Sequence, residues 1–347
     1  MHASLKHPTQ ALRRVTWLRP LLGHRILNGL AVGVGLAILS VAVYLIGGAA
    51  VAASASVGML VLSIGDQTAP ARGKLRQIAP LLWLAAPLTL AVQFAHLAPP
   101  QLMNALIGAL VCAGGFVGML GTAWGARGAP LGFALLLAIV FAMSTPAPPD
   151  ARSALIHVAW FELGTLLYAA YAVLSAHVLN TRFRRLALAE AIADLATMLR
   201  QQAARLAATG DPRDTRLRAL LGEQAVLADK LQVARDLVLD TPRSTRQMRL
   251  AAMLIGTIRL REQALANELE SDMQALRHAA TPTLAQAQAL ETLWQAFAER
   301  LDQVCWSLLS GTPLPAEAAV AAHGDELPAT ARAACAAMAR ELHDIVR

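Results

Sequence analysis

Acidic residues are almost missing from the first half of this chain. Residues 1–177 hold three, Asp66, Asp150 and Glu162, against ten Lys and Arg, whereas residues 178–347 hold twenty of each sign. Charge as a whole is scarce at 15% of 347 residues, aromatics are scarcer at 5%, and 56% of the chain is hydrophobic with a mean hydropathy of +0.47. Such a balance excludes a soluble domain of this size and points to a membrane protein. It also excludes nucleic acid as a partner, because a DNA or RNA binder sets its cations on a soluble surface among exposed aromatics. Here the cations flank apolar runs. The three cysteines, Cys112, Cys305 and Cys335, share no ligand spacing with one another or with a histidine, so neither a disulfide framework nor a metal site is indicated. A P-loop, a zincin pair and a GxSxG element are likewise lacking, and the expectation is a protein with no enzymatic activity and no cofactor.

What is present is a series of apolar runs. A helix needs roughly 20 apolar residues to cross about 30 Å of hydrocarbon, and six segments are read as spans: 26–46, 47–65, 77–96, 102–124, 126–146 and 154–178. The fifth is the weakest, since its uninterrupted apolar core begins only at Pro130 and Arg127 must snorkel at its end. The first is too long for a cleavable signal and follows a basic leader, residues 1–25. Cytoplasmic loops retain positive charge. With the N-terminus inside, twelve Lys and Arg around the spans fall on the cytoplasmic side and only Arg152 falls outside. Both termini are therefore expected in the cytoplasm. Gly29 and Gly33, and Gly114, Gly118, Gly121 and Gly125, follow the small-xxx-small spacing that lets helices approach closely, and Pro80 and Pro87 lie within span three.

Two features carry functional weight. The loop SIGDQTAPARGKLRQIAP, residues 63–80, gathers Asp66, Arg72, Lys74 and Arg76 between two apolar runs. Its cations serve topology, and at the inner mouth of a path they would also concentrate an organic anion. Asp66 is expected to pair with one of them. Glu162 lies inside span six, about 12 Å below its outer end at 1.5 Å per residue. A carboxylate at that depth is costly unless paired, hydrated or protonated, which makes Glu162 the candidate for proton coupling, against a plain packing role. Gln93, His96 and His157 sit at similar depth, and Gln93, His96 and Arg127 complete the candidates for substrate contact. His24, His96, His157 and His177 lie near span ends, where the ring is ordinary, and none is assigned to metal.

Beyond residue 178 the pattern turns amphipathic. Leu188, Ile192, Leu195 and Leu199 recur at helical spacing, and the helix is expected to continue from span six. Asp211-Pro212, Thr241-Pro242 and Thr281-Pro282 each set an N-cap residue before a proline at the first helical position. The stripes that follow run through Leu217, Leu220, Leu227 and Leu231, then Leu254, Ile258, Leu265, Leu269 and Leu276, then Leu290, Leu293, Phe297, Leu301, Val304 and Leu308. With a terminal helix from about Glu326 they predict an antiparallel bundle of up to five helices. The fold class is thus an all-α membrane protein, with six transmembrane helices over 26–178 and a cytoplasmic helical domain over 179–347. The terminal ARELHDIVR, with Glu341, His343 and Asp344, is similar to the phosphoacceptor box of some sensor kinases, but no ATP-binding domain follows it.

The run MLVLSIGDQTAPARGKLRQIAPLL, with its acidic residue, Pro70 and then Arg72-Gly73-x-Leu75-Arg76, resembles the fusaric-acid-resistance and aromatic-acid-exporter family. So does LYAAYAVLSAHVLNTRFRRLALAEAIADLATML at the exit of span six. The resemblance implies a multi-pass bacterial inner-membrane efflux protein for aromatic or other weak carboxylic acids, driven by protons and often working with a periplasmic adaptor subunit. Typical members carry two six-span units where this chain has one, which implies a homodimer. Plant aluminium-activated malate channels are similar in layout, so a dimeric organic-anion channel is one alternative, and a membrane-anchored scaffold with a partner-binding helical domain is another.

Overall fold

The computed structural model describes residues 23–207, 213–240, 244–278, 284–312 and 329–346, and every regular element among them is helical. In order these are α1 (His24–Ile64), α2 (Ala71–Ala95), α3 (Pro100–Gly121), a 3₁₀ turn (Thr122–Arg127), α4 (Gly128–Ser144), α5 (Ala151–Ala207), α6 (Arg213–Val238), α7 (Thr245–His278), α8 (Leu284–Ser310) and α9 (Ala329–Val346). They form two compact units, His24–Asn180 and residues 181–347, and α5 contributes to both. Four helices, α1, α2, α3 and α5, are long and apolar enough to cross a membrane, and α4 is shorter at 17 residues.

α1 is not one rod. Gly48 has φ 76° and ψ −177°, a region open essentially only to glycine, and the chain doubles back there. Ser56 Oγ donates to Ser40 Oγ at 2.9 Å and Asn28 Nδ2 to the Asp66 carbonyl at 2.9 Å, so the two arms run antiparallel from the turn to the base. A second reversal occurs at Gly125, with φ 70°. It returns α4 along α3 until the backbones of Gly118 and Gly132 touch, and Gly114 lies under Ile139. Gly114, Gly118 and Gly121 of span four therefore pack against α4, whereas Gly125 makes the turn and meets nothing within 4 Å. Gly29 and Gly33 meet nothing within 4 Å, so the same spacing in α1 packs on no neighbour in this chain. α2 continues through both Pro80 and Pro87 without a break.

α5 begins on an N-cap, where Asp150 Oδ1 accepts from the Ser153 backbone N–H at 2.7 Å. Hydrogen bonds from Ser153, the side chain first and then the backbone, hold the Asp150 carboxyl below its ordinary range. Further along, α5 crosses the second arm of α1 at backbone contact. A Cβ at Gly58 would strike the Phe161 carbonyl, and one at Gly164 would strike the Ala55 carbonyl.

The second unit is built on the leucine stripes. Leu188, Ile192, Leu195 and Leu199 are all fully buried, and Leu227, Leu231, Leu254, Leu293, Phe297, Leu301 and Val304 join them in one core. Each such side chain contributes roughly 1.5–3 kcal/mol on leaving water. Ion pairs Arg200–Asp302 and Lys230–Asp194 tie the helices at their polar edges. The expected caps at Asp211, Thr241 and Thr281 lie outside the described residues, as do the side chains of Leu217, Leu220, Leu269 and Leu276. α7 starts instead on a capping box: Gln247 N–H donates to Ser244 Oγ at 3.2 Å and Ser244 N–H to Gln247 Oε1 at 3.4 Å. The terminal helix is described from Ala329, and its ELHDI segment places Leu342 and Ile345 in the core.

Candidate functional site

The charged loop between α1 and α2 does not form one exposed patch. α2 begins at Ala71, six residues before the expected span, and its first turn closes with Lys74 N–H donating to the Pro70 carbonyl at 2.8 Å. That places Lys74 on the helix face of Ile78, Leu81 and Ala85, all buried, because positions four, seven and eleven residues on share one side of a helix. Arg72 and Arg76 point away from that face and are exposed.

Lys74 is only 1% exposed, and so is its partner Asp66, whose Oδ1 lies 2.8 Å from the Lys74 ammonium. Asp66 sits in the turn that ends α1, where its own N–H donates to the Ser63 carbonyl at 3.1 Å. Two further elements close around the pair. From the first arm of α1, Asn28 Oδ1 accepts from Lys74 Nζ at 3.2 Å while its Nδ2 holds the Asp66 carbonyl. From α5, the fully buried Tyr168 donates its phenol to Asp66 Oδ2 at 2.8 Å. One turn later Tyr171 donates to the Ala31 carbonyl at 2.6 Å, with its ring 6.0 Å from that of Tyr168. A lysine and a carboxylate this deep are stable only as a pair with their remaining bonding capacity filled, which is what Asn28 and Tyr168 do.

The remaining candidates lie elsewhere in the unit. Gln93 is buried and donates through Nε2 to Thr145 Oγ1 at 2.6 Å and the Ala142 carbonyl at 3.3 Å, joining the ends of α2 and α4. His96 follows at the C-terminal end of α2, its Nδ1 buried without a hydrogen-bond partner among the described residues. His157 pairs with Ser54 at 2.8 Å across α5 and the second arm of α1. Glu162, half-buried on α5, has a buried Oε2 without a hydrogen-bond partner among the described residues. Gln93 and His157 are thus engaged with other groups. Arg127 ends the 3₁₀ turn, and its side chain lies outside the described residues. No group of three or more His, Cys, Asp or Glu suited to a metal ion occurs among the described residues.

Sequence reasoning missed Asn28 and the role of Tyr168. Both left a trace: Asn28 is the one side-chain amide in the uncharged stretch 26–65, and Tyr168 is one of only three tyrosines in the chain.

Comparison with known proteins adds the family. No curated protein matches the chain. The family model described as FUSC-like inner membrane protein yccS matches residues 81–335, from within α2 to α9. The matched stretch includes residues 167–199 within α5, whereas Asp66 and Lys74 precede it. With its long apolar helices, this is a membrane-embedded protein, and the chain belongs to the family of FUSC-like inner membrane proteins typified by that yccS model.

Proposed function

We propose that the protein is an inner-membrane efflux transporter for aromatic or other weak carboxylic acids. The observation that carries this reading is Lys74, a cation at 1% exposure inside the apolar unit, paired with the equally enclosed carboxylate of Asp66. Intramembrane ionisable groups are expensive and mark substrate or ion paths, and an ammonium is the natural partner of an organic acid's carboxylate. Membership of an inner-membrane family that points to transport supports the same conclusion.

In this reading the two arms of α1, α2, α3, α4 and the first part of α5 make six crossings, over residues 26–178, and residues 179–347 form a cytoplasmic domain. Basic loops set both termini in the cytoplasm, so the Asp66–Lys74 pair occupies the inner half of the unit and Glu162, with Gln93 and His96, the outer half. Arg72, Arg76 and Arg127 attract the anion at the inner mouth, and Glu162 is the outer station for the coupling proton. Two copies assemble as a homodimer, and a periplasmic adaptor can extend the route.

The test is flux of a hydroxybenzoate by the purified protein in liposomes, with and without an imposed pH gradient. Uphill movement that collapses with the gradient is expected, and Glu162→Gln should abolish its dependence on that gradient. Downhill, charge-carrying flux unaffected by the gradient would make the dimer an anion channel. An absence of flux would overturn the transport reading.

A further inference from the structure

The second unit gathers arginines and exposed apolar side chains at one end, and we propose that this end is a docking surface for anionic phospholipid headgroups of the membrane from which α5 emerges. The inference rests on the placement of span six in the reading above and is independent of transport.

Contacts within the unit identify the end. α5 runs as one helix from Ala151 to Ala207, and span six ends at Val178 in that reading, six residues or about 9 Å before Arg184. The buried Arg184 donates through Nη2 to the Asp240 carbonyl at 2.7 Å, just past the end of α6. Lys230 pairs with Asp194, and Gln224 Nε2 donates to Met198 Sδ at 2.9 Å. Falling numbers on α6 thus meet rising numbers on α5, so α6 returns toward Arg184. α7 then leaves from there, and Arg261 Nε reaches Gln224 Oε1 at 3.1 Å farther out. α8 comes back in its turn, since Asp302 meets Arg200 and Cys305 Sγ donates to the Ala189 carbonyl at 3.4 Å. The stretch of α5 just past Val178, the α6–α7 connection and the last turns of α8 therefore share one end.

That end is both basic and apolar. Residues 181–347 hold twenty cations and twenty anions, yet the segments 181–186, 236–250 and 305–312 hold six arginines and two aspartates. The remainder of the unit carries the balancing negative excess. Arg182, Arg246 and Arg249 are exposed. Of the two aspartates, Asp236 accepts from Gln232 Nε2 at 3.0 Å, and Asp240 lends its carbonyl to Arg184. Five large hydrophobic side chains are exposed among the described residues of the unit, and three of them, Leu239, Met248 and Trp306, lie at this end. Val226 and Ile255 lie farther along the bundle.

The combination selects lipid as the occupant. Arginines set close to a span end face the negative surface of the bilayer, and a guanidinium pairs with phosphate through two parallel hydrogen bonds. Beside them, leucine, methionine and tryptophan suit the boundary between headgroups and acyl chains, where aromatic rings collect. A free phosphate ion would use the arginines and leave those apolar groups in water.

The experiment is amide hydrogen exchange of the full-length protein in nanodiscs of phosphatidylcholine alone, and of phosphatidylcholine mixed equally with phosphatidylglycerol. Exchange over residues 236–250 should be about fivefold slower in the anionic discs, the equivalent of one arginine at a negative membrane surface. Residues 222–232, in the middle of α6, should exchange equally in both and report that each variant is folded. Arg246→Gln combined with Arg249→Gln should remove the difference, whereas Arg246→Lys combined with Arg249→Lys should keep it. Equal exchange of the wild type in the two discs, or full protection in the glutamine pair, overturns the docking surface. Protection by inorganic phosphate in detergent as strong as that in the anionic discs overturns it as well, because the arginines would then serve a soluble anion. Each of these results leaves the transport reading standing, since that reading is decided by hydroxybenzoate flux.

Discussion

At the scale of single residues, three cations two positions apart take different roles because a helix turns about 100° per residue. Arg72 and Arg76 are exposed and Lys74 is enclosed. Neutralising Arg72 and Arg76 together should slow flux on the order of tenfold at low salt, with the difference shrinking as salt rises, because steering is screened. Initial rates at two ionic strengths check this, and a salt-independent loss would place those arginines in binding instead. Tyr168→Phe removes the phenol that completes Asp66 and should cost about 1.5–3 kcal/mol, as for hydrogen bonds to charged groups. Thermal unfolding in detergent measures it, and an unchanged midpoint would mean that the Tyr168 contact to Asp66 adds nothing. How much of this was legible in the sequence follows from the same geometry. That Asp66 pairs with a neighbouring cation was legible in the scarcity of charge around them. The inward turn of Lys74 was hidden because hydropathy starts the helix at the apolar run near residue 77, whereas the helix starts at Ala71. Read from Ala71, the 74, 78, 81, 85 spacing already marks the lysine as facing the core.

Among the elements, the first apolar stretch is the clearest case of a boundary that composition places well. Run length sets the meeting of the first two spans between residues 46 and 47, and the reversal sits at Gly48. No charged residue lies anywhere in 26–65 to punctuate it, so the glycine pair and the length of the run were the only signals. Gly48→Ala puts a side chain on a backbone that only glycine adopts freely, and should cost about 1–3 kcal/mol. The apparent melting temperature of the detergent-purified protein should fall, whereas Gly29→Ala, with open space around it, should leave it unchanged. Equal melting temperatures for all three proteins would show that the turn tolerates a side chain. In the second unit the leucine spacing foretold the core because an amphipathic stripe has only one way to leave water. The start of α7 was harder. Thr241-Pro242 advertised a cap, yet the box that closes the helix is Ser244 with Gln247, a weaker pattern that any polar stretch can mimic.

At the level of the whole molecule, α1 and α3 expose many large apolar side chains, and the proposed homodimer would cover some of them. Light scattering in detergent, corrected for the micelle, should report twice the chain mass of 36.7 kDa; a single-chain mass would end the dimer proposal. The base of the α1 hairpin carries a different consequence, for the order in which the protein is built. Asp66 and Lys74 are eight residues apart, so as they leave the ribosome they can cancel each other's charge before either touches lipid. The base of the hairpin can then settle with this pair electrically silent, while Arg72 and Arg76 stay at the surface. Tyr168 is synthesised a hundred residues later, and its arrival at Asp66 is the event that locks the base shut. A nascent chain cut short of Tyr168 would therefore be inserted but unlatched, and open to the cell's membrane proteases in a way that the finished protein is not.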